Sequence, residues 1–184
     1  ILLFIGELSV SAQHMFSRQF PFFNQLSSNE IFSIHQDREG YFWIGTTNGL
    51  ARYDGYQLNT FRTDYKNQNL LTDNGITAIN DNDLYVWIGT WKGLNLYNKQ
   101  TCRITPFSDA RLLDKVVDAI TVDKDGNVWV SAGGMIYRCD STAHIIKEYE
   151  VGNIQEGYAI SNIYADQQKQ LWAVGSRGIF RYEP

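Results

Sequence analysis

Four tryptophans, Trp43, Trp87, Trp129 and Trp172, recur at separations of 44, 42 and 43 residues, and this spacing limits the fold more than any other feature of the chain. The residues around them repeat too. An apolar position nine before the tryptophan holds Ile34, Ile120 and Ile163, while Ile79 stands eight before Trp87 because the turn in that copy is one residue shorter. Six before come Asp37, Asp81, Asp123 and Asp166, and seven after come Leu50, Leu94, Ile136 and Ile179. The tyrosine ten after recurs as Tyr53, Tyr97 and Tyr182, with Cys139 in its place in the third copy. A unit duplicated at this period cannot bury its apolar face alone, so stacked neighbours must supply the core.

Each unit parses into short strands. In the first, Ile31 to Gln36 has strand character, Asp37-Arg38-Glu39-Gly40 supplies a tight turn, and Tyr41 to Thr46 is rich in aromatic and β-branched residues. Thr47-Asn48-Gly49 turns the chain again, Leu50 to Tyr53 is a third strand, Asp54-Gly55 a hairpin signal, and Tyr56 to Arg62 a fourth strand. Helical repeats would instead show apolar spacing of about 3.6 residues. Asp109 to Asp118 (DARLLDKVVD) comes nearest and predicts a helical turn ahead of the third unit. Four antiparallel strands per unit of about 43 residues predict an all-β chain of β-propeller blades. The tryptophans are expected in the core between blades, and Gly45 and Gly89 are expected to let backbones approach near the narrow centre. Eleven Tyr, ten Phe and five Trp against three Pro suit strands with large side chains packed between sheets.

Residues 1–12 read as processing rather than fold. The run from Ile1 to Val10 is largely apolar, and Val10-Ser11-Ala12 places small residues at a cleavage site, which predicts a clipped signal peptide cut after Ala12. No initiating Met or basic segment precedes it, so the chain is expected to start inside the signal. The formal charge of −4, without a basic run, gives no electrostatic reason to expect nucleic acid or an anionic membrane surface as a partner.

The strings Ile31-Phe-Ser-Ile-His-Gln-Asp-Arg-Glu-Gly-Tyr-Phe-Trp-Ile-Gly-Thr-Thr-Asn-Gly-Leu-Ala-Arg-Tyr-Asp54 and Val86-Trp-Ile-Gly-Thr-Trp-Lys-Gly-Leu-Asn-Leu-Tyr97 resemble the two-component regulator propeller repeat. The resemblance runs from about Ser27 to Pro184; the third copy departs at Ser131-Ala132 and Met135, and the fourth is weaker at Ala173-Val174-Gly175. It implies the N-terminal periplasmic region of a Bacteroidetes hybrid two-component sensor, with two seven-bladed propellers, a small β-sandwich, a membrane span and a histidine kinase. The parent would be anchored in the inner membrane as a homodimer. Its ligand would be an oligosaccharide, and its output control of polysaccharide utilisation genes.

On this reading residues 27–184 are four repeats of an incomplete seven-bladed propeller, the last truncated before its fourth strand. Residues 13–26 are a lead-in strand over Met15 to Phe23 that takes part in closure. The remaining blades of the parent chain are then partners, and without them the end blades expose apolar faces.

Little in the sequence points to catalysis. Asp123-Lys-Asp-Gly-Asn127 resembles the opening of a calcium loop, but no Glu follows at the twelfth position and a hairpin turn accounts for it. His14, His35 and His144 have no metal-ligand spacing, and no nucleophile elbow or acid–base pair stands out, so no catalytic residue, metal or cofactor is expected in this region. Cys102 and Cys139 leave a disulfide open against two buried free thiols. Arg52, Arg138 and Arg181, each nine after Trp, are expected to form pairs between blades.

Ligand contacts are expected in loops at one end of the ring, held by the rigid blades. The loop after the tryptophan strand offers Asn48, Trp91, Lys92 and Arg177, an aromatic and two cations suited to sugar hydroxyls or acidic sugars. Three classes of function stay open: a sensor ectodomain, an exported propeller enzyme acting on glycans, and a protein-interaction platform.

Overall fold

The computed structural model describes residues 18–64, 66, 70–150 and 160–182. The expected signal segment, residues 1–12, and His14 lie outside them. Three four-stranded antiparallel sheets and one three-stranded sheet follow in chain order. The first contains β1 (Ile31–Gln36), β2 (Phe42–Thr46), β3 (Gly49–Tyr53) and β4 (Leu58–Phe61). The second contains β5 (Ile76–Asp81), β6 (Tyr85–Thr90), β7 (Gly93–Asn98) and β8 (Arg103–Pro106). The third contains β9 (Val117–Val122), β10 (Val128–Ala132), β11 (Met135–Cys139) and β12 (Ile145–Glu150), and the fourth β13 (Ile160–Ala165), β14 (Leu171–Gly175) and β15 (Gly178–Tyr182). Each sheet is a meander, and β1, β5, β9 and β13 contact one another in succession. These four strands are therefore innermost. The expected helical turn before the third blade is a 3₁₀ turn at Ala110–Leu112, capped by Asp109, whose Oδ1 accepts from the Arg111 N–H at 2.9 Å.

The core lies between blades. Trp43 and Leu50 pack with Ile76, Ile79 and Ile88 of the next blade; Trp87 and Leu94 pack with Val117, Ile120 and Val130; Trp129 and Ile136 pack with Ile160, Ile163 and Leu171. Trp43, Trp87 and Trp129 are buried as expected, and Trp172, in the last described blade, is half-buried. Gly45 and Gly89 behave as their positions predict. A Cβ on Gly45 would sit 2.6 Å from Ile76 Cγ2, and one on Gly89 would sit 2.6 Å from Val117 Cγ1, so only glycine admits the neighbouring inner strand.

The two end faces differ from the rest. Ile34 is 67% exposed, whereas its repeat counterparts Ile79, Ile120 and Ile163 are buried; Ile179 is 69% exposed, whereas Leu50, Leu94 and Ile136 are buried. The same residue type changes environment only because no described blade covers it. Ahead of the first blade, the described part of the expected lead-in strand is not a strand: residues 18–22 pair with nothing in a ladder and a 3₁₀ turn follows at Phe23–Gln25. Pro21 removes a ladder donor, and Phe20 and Phe22 instead set their rings 5.0 and 5.3 Å from Tyr53. Phe20, Phe23 and Leu26 thereby form, with Ile31, Ile34 and Phe42, an apolar groove of about 300 Å³ on the leading face.

Three other expectations are refined. Cys102 and Cys139 are both free, which settles the disulfide question, but only Cys139 is buried; Cys102 is exposed in the β7–β8 turn. Burial pushes the Cys139 thiol up to about 12 and keeps it protonated. Arg52, Arg138 and Arg181 lie directly across the ladder from Trp43, Trp129 and Trp172, each with its guanidinium 5.3–5.8 Å from the indole of its own blade. The recurring contact is thus within the blade, and Arg52 reaches the next blade as well, its Nη1 donating to the Tyr97 hydroxyl at 2.5 Å. Finally, Asp123 spends its carboxylate on its own turn: Oδ1 accepts from the Asp125 and Asn127 N–H groups and Oδ2 from Trp129 Nε1, as a hairpin turn requires.

Candidate functional site

The strand order puts the β2–β3, β6–β7, β10–β11 and β14–β15 turns at the same end of the ring as the connections between blades. The Thr47 N–H donates to Glu30 O, and the Trp91 N–H to Gly75 O at 3.1 Å, so each turn is tied to the segment entering an inner strand. Thr46 and Thr90 latch two of these turns by donating to Gly49 O and Gly93 O at 2.8 Å. Their rigidity fixes what this mouth presents.

The four residues singled out from the sequence are placed differently. Asn48 is part of the scaffold: its Nδ2 donates to Ser27 O at 3.2 Å. Lys92 extends outward with its Nζ 3.9 Å from Asp73 Oδ2, and Arg177 is exposed in the β14–β15 turn. Trp91 turns inward. Its indole lies flat on Gly75, where a Cβ would come within 2.3 Å of the ring, and its edge meets Phe32 with centroids 6.2 Å apart. Phe32, Thr77 and Trp91 line a hollow of about 150 Å³, and both aromatic rings are exposed to it.

Beneath that hollow lies a feature that the sequence alone did not single out. Every inner strand carries a β-bulge at its second residue. Ile31 pairs with Thr46 and Ser33 with Gly45, leaving Phe32 without a ladder partner; Thr77, Asp118 and Ser161 are skipped in the same way in the other three blades. A bulge re-aims the side chain of the extra residue, and here all four line one cleft of about 260 Å³ along the axis. The repeat alignment hides this position because Phe, Thr, Asp and Ser share no chemistry. Variation at one fixed place in an otherwise regular repeat is the signal that would have found it.

The polar groups of the cleft are mostly acceptors. Thr77 Oγ1 donates to Val117 O at 2.5 Å and Ser161 Oγ donates to Val174 O at 3.1 Å, so each hydroxyl has its proton committed to backbone and offers its oxygen. Asp118 is the one ionisable residue of the lining. Burial pushes its carboxyl up to about 6, with the Ser131 hydroxyl beside it working the other way. Asn162, whose Oδ1 accepts from the Ile163 N–H at 2.8 Å, and Ser33 supply neutral donors. The cleft can therefore take a polar ligand under an aromatic rim. Among the described residues no group of three His, Cys, Asp or Glu side chains is placed to hold a metal ion.

Residues 25–48 match the family model described as Two component regulator propeller. None of the curated proteins matches the chain. Among solved structures it is similar to the extracellular domain assigned to the hybrid two component system BT3049 of B. thetaiotaomicron, with 22% identity and a TM-score of 0.68 over 86% of this chain and 22% of that one. The corresponding domain of BT4673 from the same organism gives 23% identity and a TM-score of 0.66, over 86% and 22% of the two chains. Virginiamycin B lyase from Staphylococcus aureus gives 18% and 0.63, over 84% of this chain and 56% of that one. The chain spans about a fifth of the length of the two-component domains. At these identities the likeness establishes the fold: this chain is a run of β-propeller blades, in the first of which residues 25–48 match the two-component regulator propeller model.

Proposed function

We propose that this chain is part of the ligand-sensing propeller of an exported two-component sensor. It responds to oligosaccharides and signals across the membrane to a histidine kinase that controls polysaccharide utilisation genes. The observation that carries the reading is the mouth of the axis, where the exposed rings of Phe32 and Trp91 stand over a cleft of hydroxyls and one carboxylate. Aromatic faces stack on the apolar faces of sugar rings, while the polar groups below meet hydroxyls, which is the division of labour a carbohydrate site needs. The repeat match and the two-component extracellular domains support the same reading. The exposed leading and trailing faces fit a parent whose further blades cover them, in the periplasm and joined to an inner-membrane span.

An enzyme acting on glycans is the less favoured reading. Glycoside hydrolysis commonly needs two carboxyl groups about 5–9.5 Å apart, and the cleft lining supplies Asp118 alone.

Reading the parent gene past Pro184 is the first test. Further repeats of the same length, a span of roughly 20 apolar residues and a kinase are expected; one closed propeller with no span would sink the sensor reading. Calorimetric titration of the whole exported region with neutral oligosaccharides should then show binding that Trp91→Ala weakens by about tenfold, the loss of roughly one ring contact. Turnover of the sugars during titration would move the assignment to an enzyme.

A further inference from the structure

We infer that the axial cleft selects a sugar bearing a free, protonated amine, with Asp118 as its counter-ion. The inference rests on the carbohydrate-sensing reading above and narrows it to a charge class.

Three observations converge. The bulges bring Asp118 into a cleft in which no other lining residue from β1, β5, β9 or β13 is ionisable, so its charge has no opposite partner there. Thr77 and Ser161 have given their protons to backbone carbonyls, so the oxygens beside the carboxylate serve as acceptors. An ammonium group brings three donors and a positive charge to such a lining, while a uronate or sulfate would set negative charge against an unneutralised carboxylate. The third observation is above the cleft. Lys92, the cation nearest Trp91 in sequence, lies within 3.9 Å of Asp73, and Phe32 and Trp91 are aromatic rings whose faces attract a cation. Ser33 and the Asn162 amide remain as donors for the hydroxyl and ring oxygens of the same sugar.

The carboxyl of Asp118, held near 6 by burial, gives the site a pH dependence of its own. The ionised form binds the ammonium, so affinity is full above that value and declines as pH falls through it. The ionised fraction of the carboxyl falls about tenfold between pH 7 and pH 5, and because a sugar amine titrates near neutrality and gains charge over the same range, the net loss of affinity is several-fold.

The test compares three trisaccharides by calorimetry on the complete exported region at pH 7: the glucosamine trimer, its N-acetylated counterpart and trigalacturonate. The glucosamine trimer should bind about tenfold more tightly than the N-acetylated one, with trigalacturonate weakest. Asp118→Asn should bring the first down to the second, its fold checked by thermal melting. The unaltered protein at pH 5 should lose several-fold of its affinity for the glucosamine trimer and none of its affinity for the N-acetylated one. Equal binding of the acetylated or acidic trimer would overturn the charge selection and leave the sugar reading standing. Failure of all three trimers to bind, with neutral oligosaccharides of other kinds also inert, would overturn both.

Discussion

The turns that join the first two strands of each blade solve one problem in two ways, and the first and second blades show the contrast. In the first, buried Asp37 closes the turn: its Oδ1 accepts from the Glu39 and Tyr41 N–H groups at 3.0 and 2.9 Å and its Oδ2 from Trp43 Nε1 at 2.6 Å. Asp123 and Asp166 repeat this arrangement, including bonds to the indoles of Trp129 and Trp172 at 3.0 and 2.8 Å. The second blade lacks one turn residue, and the two tasks separate. Asn82 takes over the turn, accepting from the Leu84 and Tyr85 N–H groups at 3.0 and 2.9 Å. Asp81 is released to meet His35 Nε2 of the preceding blade and Lys99 Nζ, both at 2.7 Å, and Trp87 Nε1 is left buried without a partner. One residue fewer thus exchanges a bond to the indole for an ionic tie to Lys99 within the same blade and a hydrogen bond to His35 of the preceding one. Asp81 and Lys99 are each 96% buried at the side chain, so the tie is expensive to form and more expensive to halve.

The largest expected effect is therefore at Asp81. Asp81→Ala strands the Lys99 ammonium in the interior and should cost about 3–5 kcal/mol in denaturant unfolding. A cost below that of Asp37→Ala would contradict the view that the second blade has exchanged a turn clamp for an ion pair. Asp37→Ala removes three accepted bonds and leaves an indole N–H buried, which predicts about 2–3 kcal/mol. Acid titration probes the ion pair next. Burial opposes the charge on Asp81, but hydrogen bonds from His35 and Lys99 outweigh it and hold the carboxyl down at about 2. Its contribution is present above the unfolded value near 4 and is lost as pH falls from there toward 2, about 2 kcal/mol in all. Lys99→Met should flatten that part of the stability profile. The smallest effect is the sharpest comparison. Trp43→Phe should cost about 1 kcal/mol more than Trp87→Phe, since only the first breaks a bond to a buried carboxylate. Equal costs would mean that the indole bond adds nothing to the clamp.

Strand bounds were legible nearly to the residue because the turns between them are written in Asp, Asn and Gly, whose local bonds do not depend on the rest of the chain. Ile31–Gln36, which ends at the Asp37 to Gly40 turn, is the example. Residues 18–22, the described part of the lead-in segment, form no strand for the opposite reason. Its aromatic run fits a strand by composition, yet Pro21 and the rings of Phe20 and Phe22 find a better partner in Tyr53 than in a ladder. The arginines opposite the tryptophans were expected between blades; cross-strand register sets all three on their own indoles, and Arg52 also reaches Tyr97 of the next blade.

The sequence by itself determined the blade: a period near 43 residues, the tryptophan between sheets, the aspartate before it and the glycine after it, all of which act over distances of a few residues or between identical units. Only the tertiary structure decided the site. A bulge is a relation between two strands, and the axial cleft is a relation among four of them, so Phe32, Thr77, Asp118 and Ser161 come together from positions as much as 129 residues apart. Nothing in their identities announces that meeting. The pleat would have turned these side chains elsewhere had each inner strand kept its register, and the one skipped residue per blade is what directs them to the axis.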